Sequence, residues 1–327
     1  MSLDNIIMMD AQRIDALLDY PSLVHALYDA HRLDEGQASR DILSRPRGGG
    51  EEQQAPNDFL VLPAWQGNEL GLKAVTVFPG NQAPHPSVHA LYLLFDGTHG
   101  KPLAILDGTA MTPWKTAADS ALGSRLLARE DSRELLVLGA GTMAPHLVQA
   151  HLAVRPTIKQ VGLWNRTPER AQALVDQLTP EVAAQGISIQ TIRNLEEATR
   201  TADIISCCTA ARGPLIQGDW LKPGCHLDLV GSFTEEMREC DDQAVRRAIL
   251  YVDYDRFTPD ECGDLCQPLA EGVITKEDII GDLFDLCQGK VLARVSTEAI
   301  TLFKNGGGGH LDLMTARHLM ARANDPN

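Results

Sequence analysis

Residues 134–144, ELLVLGAGTMA, constrain the fold more tightly than any other stretch of this chain. The run Leu135-Leu136-Val137-Leu138 reads as a strand buried on both faces. Gly139-Ala140-Gly141-Thr142-Met143-Ala144 follows as a G-x-G-x-x-A turn, and residues 142–154 take helical spacing. Gly139 permits the tight turn, Gly141 lets the backbone approach a pyrophosphate, and Ala144 keeps the helix close to the strand. The helix then offers free N–H groups and its positive dipole end to the phosphates. Such a turn is a weak signal alone. Its position after a buried strand and inside a βαβ unit makes Gly139–Ala144 the expected dinucleotide site.

The surrounding rhythm supports this. VGLW (161–164) is a second strand, followed by a helix over 168–178, and ISIQTI, DIISCCT, HLDLVG and ILYVD supply further strands. Strands alternating with helices predict a doubly wound parallel α/β sheet of Rossmann type, assigned to residues 121–295. The N-terminal part reads differently. Residues 10–34 suit amphipathic helices broken near Pro21, and residues 45–58 form a polar, Gly-rich loop. FLVLPAW (59–65), LGLKAVTVF (70–78), HALYLLFD (89–96) and PLAILDG (102–108) predict an antiparallel or mixed sheet, before a helix over 112–129. The closing segment TLFKNGGGGHLDLMTARHLM is too short to fold alone. It is expected to return to the N-terminal part, giving a discontinuous α+β domain of residues 1–120 plus 296–327.

The second strand of the α/β part ends in Asn165-Arg166-Thr167, with Asn165 24 residues beyond Gly141. A carboxylate there would bind the adenosine ribose hydroxyls and repel a 2′-phosphate. An amide, a guanidinium and a hydroxyl favour the phosphate, so NADP(H) is expected over NAD(H), which stays as the alternative. Thr209, after DIISCC, ends a strand at the carboxyl edge of the sheet, where cofactors bind.

Composition removes other classes. The formal net charge of −15 argues against nucleic acid and anionic membranes as partners. No apolar stretch reaches the ~20 residues of a membrane span, and MSLDNIIMMD lacks the basic start of a signal peptide. The seven cysteines form no C-x-x-C pair and are odd in number, as suits buried thiols in a reducing cytoplasm. Cys262 and Cys266 have acidic neighbours but no histidine at ligand spacing, so no metal is expected.

Beyond these readings, the chain resembles the ornithine cyclodeaminase/mu-crystallin family over nearly its whole length. The likeness rests on LGLKAVTVFPGN, TPWKTAADSALGSRLLAR, LGAGTMAPH, LWNRT, DIISCCT, GCHLDLVGS, IGDLFDLCQGK and TLFKNGG. It implies hydride transfer at a C–N centre, a small amino- or imino-acid substrate, and a substrate domain that pairs with its twin in a homodimer. Residue by residue, it implies that Lys73 is the active-site lysine, bonding the substrate carboxylate or donating a proton. Arg47 would grip that carboxylate, with Arg45 as fallback, and Lys115 stands where the family has a second carboxylate-binding arginine. His89, with Ser87, lies near a substrate loop; His310 and Gly307 fall in the last active-site loop; Asn81 and Thr116 would help position the cofactor. Two departures matter. Leu60 and Phe233 occupy positions where cyclodeaminases carry Glu and Asp, and neither can accept an N–H bond from an ammonium. Reduction of a cyclic or open imino acid is therefore the expected activity. Ornithine cyclodeamination, amino-acid dehydrogenation and ligand binding without turnover are the alternatives.

Overall fold

The computed structural model describes residues 6–46 and 56–324, so Arg47 lies outside the described residues. The chain forms two compact units: the chain up to Lys115 with the chain from Gly308, and Thr116–Gly307.

In the first unit the strands are β1 (Ile7–Met9), β2 (Gln37–Ala38), β3 (Asp41–Arg45), β4 (Asn57–Gln66), β5 (Glu69–Val77), β6 (Val88–Asp96) and β7 (Pro102–Asp107). They assemble in the order β1-β7-β6-β5-β4-β2, with β3 also on β4. Only β1 and β7 run parallel. The four expected strands are β4 to β7. Period-2 alternation gives them one buried face, with Leu62, Ala64, Lys73, Ala90, Tyr92, Leu94, Ala104 and Leu106. Helix Gly309–Asn324 packs on β4 and β5, and helix Tyr20–His31 packs against it. As expected, residues 10–34 form two helices, Ala11–Leu17 and Tyr20–His31, parted at Leu18–Asp19 just before Pro21. Pro21 sits in the first turn of Tyr20–His31 behind the N-cap Asp19, where proline's missing N–H costs nothing. Helix Gly108–Leu127 begins earlier than expected because Asp107 Oδ1 accepts from the N–H groups of Thr109 and Ala110.

In the second unit the strands are β8 (Glu134–Leu138), β9 (Gln160–Trp164), β10 (Ser188–Thr191), β11 (Ile204–Cys207), β12 (Arg212–Ile216), β13 (His226–Leu229), β14 (Arg238–Cys240), β15 (Ala248–Val252), β16 (Ile279–Gly281) and β17 (Ile300–Lys304). Eight form a wholly parallel sheet in the order β10-β9-β8-β11-β13-β17-β15-β16, while β12 and β14 pair separately. The order reverses between β8 and β11, the switch point at which such sheets bind ligands. Two apolar clusters contain Leu136, Ile205, Leu227 and Leu302, and Leu135, Val137, Val161 and Leu163.

One expectation is corrected here. Strand 300–304 does not return to the N-terminal part; it lies between β13 and β15. All five of its residues are buried, as an interior parallel strand requires. The return of the chain thus begins at Gly308 rather than 296, and the first crossing falls at Lys115/Thr116 rather than after 120. Among the described residues no helix is long and apolar enough to cross a membrane, and no cluster suits a metal ion.

Candidate active site and dinucleotide site

The first unit buries three charged side chains together. Lys73, on β5, is 5% exposed. Its Nζ donates to Thr112 Oγ1 at 2.6 Å and to Asp312 Oδ1 at 3.1 Å. Lys115 Nζ lies 3.2 Å from Asp312 Oδ2 and donates to the Gly308 carbonyl at 3.1 Å. The Lys115–Asp312 contact is an ion pair without hydrogen-bond alignment, whereas Lys73–Asp312 has both.

One carboxylate thus faces two ammonium groups, and Arg40, half-buried, adds a third positive charge acting on Lys73. Burial pushes the Lys73 ammonium below the ordinary lysine range; Asp312 opposes this, and Lys115 and Arg40 reinforce it. The result is a desolvated ammonium in a cluster of net positive charge, an arrangement able to give up a proton and to attract an anion.

Sequence reasoning placed Lys73 but missed Asp312 and Arg40. Asp312 follows a glycine run in an amphipathic segment, where an aspartate reads as a solvated residue of a first helical turn. The faint signal was its apolar neighbours, Leu311 and Leu313. Lys115 is turned to Asp312 and Gly308, so its charge is already partnered. Arg45 is exposed at the end of β3.

His89 is not brought to Lys73. It pairs with Thr76 across β5 and β6 while Lys73 pairs with Tyr92, and the two positions on β5 are three apart, an odd spacing. Period-2 alternation sends His89 to the opposite, exposed face. Ser87 is exposed, and the Asn81 amide donates to the Pro86 carbonyl, shaping its own loop. His310 is buried beside His31, with ring centroids 6.1 Å apart, and burial holds it neutral, far below the usual histidine range.

The second unit carries the fingerprint as expected. Gly139 has φ +119°, and a Cβ there would meet the Cys208 carbonyl oxygen at 2.8 Å and its Sγ at 2.9 Å. Gly141 has open space where a Cβ would be, so packing does not explain that glycine, but close approach of a pyrophosphate does. Ala144, in the first turn of helix Met143–Val154, is fully buried. Thr142 precedes that helix without capping it through its side chain, which leaves the first N–H groups for an anion. Ala140 is half-buried. The residues present fit a dinucleotide.

Gly139 N–H donates to the Trp164 carbonyl at 2.8 Å, joining this turn to Asn165-Arg166-Thr167. Asn165 Nδ2 donates to the Thr167 carbonyl at 2.9 Å, closing the tip, while Arg166 is exposed. Thr209 follows β11, and its N–H and hydroxyl both donate to the buried Glu239 carboxylate. The Thr116 carbonyl accepts from Asn305 Nδ2 at 3.0 Å, and Gly307 N–H donates to Asp253 Oδ2 at 2.6 Å. Both are backbone roles. Phe233, beyond β13, exposes its ring.

Comparison with known proteins agrees. The family profile described as "Ornithine cyclodeaminase/mu-crystallin family" matches residues 8–327. The Delta(1)-pyrroline-2-carboxylate reductase of Paracoccus denitrificans is 43% identical over 304 residues, 92% of each chain. "Protein SAR DEFICIENT 4" of Arabidopsis thaliana is 43% identical over 268 residues, 80% of this chain and 82% of its own. The solved structure of Thermococcus litoralis Delta(1)-pyrroline-2-carboxylate reductase, in complex with NADH and L-proline, matches with TM-score 0.87 at 30% identity over 97% of both chains.

Proposed function

The chain belongs to the ornithine cyclodeaminase/mu-crystallin family, and we propose that it reduces the C=N bond of a small imino acid, cyclic or open, to an amino acid. Its cofactor is a nicotinamide dinucleotide, which when bound supplies the hydride to the imine carbon. The observation that carries the proposal is the buried Lys73 ammonium, desolvated and crowded by Lys115 and Arg40. Such a group gives up its proton more readily than a solvated lysine, and the new N–H bond needs that proton. The positive surplus around Asp312 holds the substrate carboxylate, and Arg40, whose charge acts on Lys73, offers a guanidinium for a two-pronged grip.

Cyclodeamination is disfavoured by the apolar Leu60 and Phe233, which offer no acceptor to a second ammonium group. The exposed Arg166 guanidinium, with Asn165 and Thr167, supports NADP(H) over NAD(H). Leu43, Phe59, Trp65 and Leu91 are exposed on the sheet face opposite Lys73, and this apolar face supports a homodimer. The seven free cysteines suit a cytoplasmic setting.

The test is dinucleotide oxidation, followed by absorbance, with Δ1-pyrroline-2-carboxylate and Δ1-piperideine-2-carboxylate and with both NADPH and NADH. Turnover with either imine is expected. No oxidation above that of a Lys73→Ala control would falsify the reductase reading.

A further inference from the structure

Behind the dinucleotide edge of the second unit lies a carboxylate that no substrate or cofactor reading uses. Glu239, on β14, is fully buried. Its Oε1 accepts the Thr209 N–H at 2.7 Å and the Thr209 hydroxyl at 2.8 Å. Its Oε2 accepts the Gly231 N–H at 2.7 Å. Thr209 follows β11 and Gly231 follows β13, which are hydrogen-bonded neighbours. One side chain therefore ties together the two loops that leave the carboxyl edge of the sheet. The approach is close: a Cβ on Gly231 would fall 2.1 Å from the Thr209 carbonyl oxygen and 2.5 Å from Glu239 Oε1.

The tie leads to the phosphate turn. Cys208, next to Thr209, is the residue against which Gly139 packs, and its N–H donates to the Leu138 carbonyl at 2.8 Å. Glu239 is itself held from behind: Asp264 Oδ1 accepts the Glu239 N–H at 2.7 Å, and Asp264 Oδ2 lies 3.5 Å from Lys304 Nζ.

We infer that Glu239 is a positioning residue for dinucleotide binding: through its bonds to Thr209 and Gly231 it fixes the Cys208–Thr209 turn on which Gly139 rests. The inference depends on reading this edge as the dinucleotide site. The three accepted bonds use both oxygens as acceptors, and they are strongest to the ionised carboxylate. Burial, with the Asp264 charge behind it, pushes Glu239 up to about 7, against the pull of Lys304 and Thr209. The other titratable groups facing it are the thiols of Cys207, Cys208 and Cys240, which burial keeps protonated. Protonation removes the charge that strengthens these bonds and puts a hydrogen on one oxygen, so the tie to that loop weakens.

The test uses NADH, which has no titrating 2′-phosphate, with Kd read from nicotinamide fluorescence. For the unaltered protein, Kd is expected to rise as pH falls from about 8 to about 6, the range across which Glu239 gains its proton. Glu239→Gln keeps the shape but presents NH2 groups to one loop; it should bind NADH about tenfold more weakly at the upper pH, with the pH slope flattened and the melting temperature nearly unchanged. Thr209→Val removes only the hydroxyl donor and serves if Glu239→Gln fails to fold; it should weaken NADH binding about threefold and keep the slope. Unchanged affinity in both variants, or a Glu239→Gln slope parallel to that of the unaltered protein, overturns the inference. If the unaltered protein binds neither NADH nor NADPH at any pH, the dinucleotide reading of the edge falls and takes the inference with it.

Discussion

The two units each bury a lysine against carboxylates, and the two lysines are tuned in opposite directions. Lys73 meets one carboxylate, Asp312, while Lys115 and Arg40 press on it, and its ammonium is held below the usual range. Lys304 is as deeply buried, and burial alone would push it down. Cys262, Asp264, Glu239 and Asp253 outweigh that and hold it above the usual range. Burial is common to both; the count of neighbouring charges decides. A buried lysine with surplus cations around it becomes an acid ready to release its proton. One with surplus carboxylates becomes a fixed counter-ion, and its Nζ donates to the Leu229 carbonyl at the end of β13.

The contrast breaks most sharply on truncation. Lys73→Ala should lower kcat by about a thousandfold, the scale of lost proton transfer, while leaving dinucleotide affinity intact. Lys304→Ala should act on stability instead, costing about 3 kcal/mol because it strands buried carboxylates, as a melting curve would report. A Lys304→Ala protein with an unchanged melting temperature would erase the distinction. Asp312→Asn sharpens it. The Asp312 charge holds the Lys73 pKa up against burial, so its removal lets that pKa fall further. Lys73 then loses its proton at lower pH, and the alkaline limb of the kcat profile should move to lower pH; an unmoved limb would mean Asp312 does not tune Lys73. The smallest effect lies at the surface. Arg166→Ala should weaken NADPH binding about tenfold and leave NADH nearly unaffected. Equal losses for both would show that Arg166 does not read a 2′-phosphate.

What the sequence disclosed follows from how local each signal is. The fingerprint at 139–144 and strands β4 to β9 are written in adjacent residues, and they emerge close to where the pattern puts them. The destination of strand 300–304 is not local: its apolar run fits either sheet, and only the vacancy between β13 and β15 decides. His89 fails for a related reason. The resemblance put it near a substrate loop, but which face it takes depends on register, and register sets it beside Thr76. Asp312 was the costliest omission, because a carboxylate 239 residues from Lys73 leaves no trace in the spacing around either.

The position of β17 bears on how the chain is made. An interior strand of the parallel sheet and the helix carrying Asp312 both come from residues 300–324, which are made after the strands they join. Neither unit can complete its sheet or its buried ion pairs until residues 300–324 have been made. Until then the parallel sheet lacks an interior strand and Lys73 and Lys115 lack their counter-ion, so one late segment of the chain supplies what both units are missing.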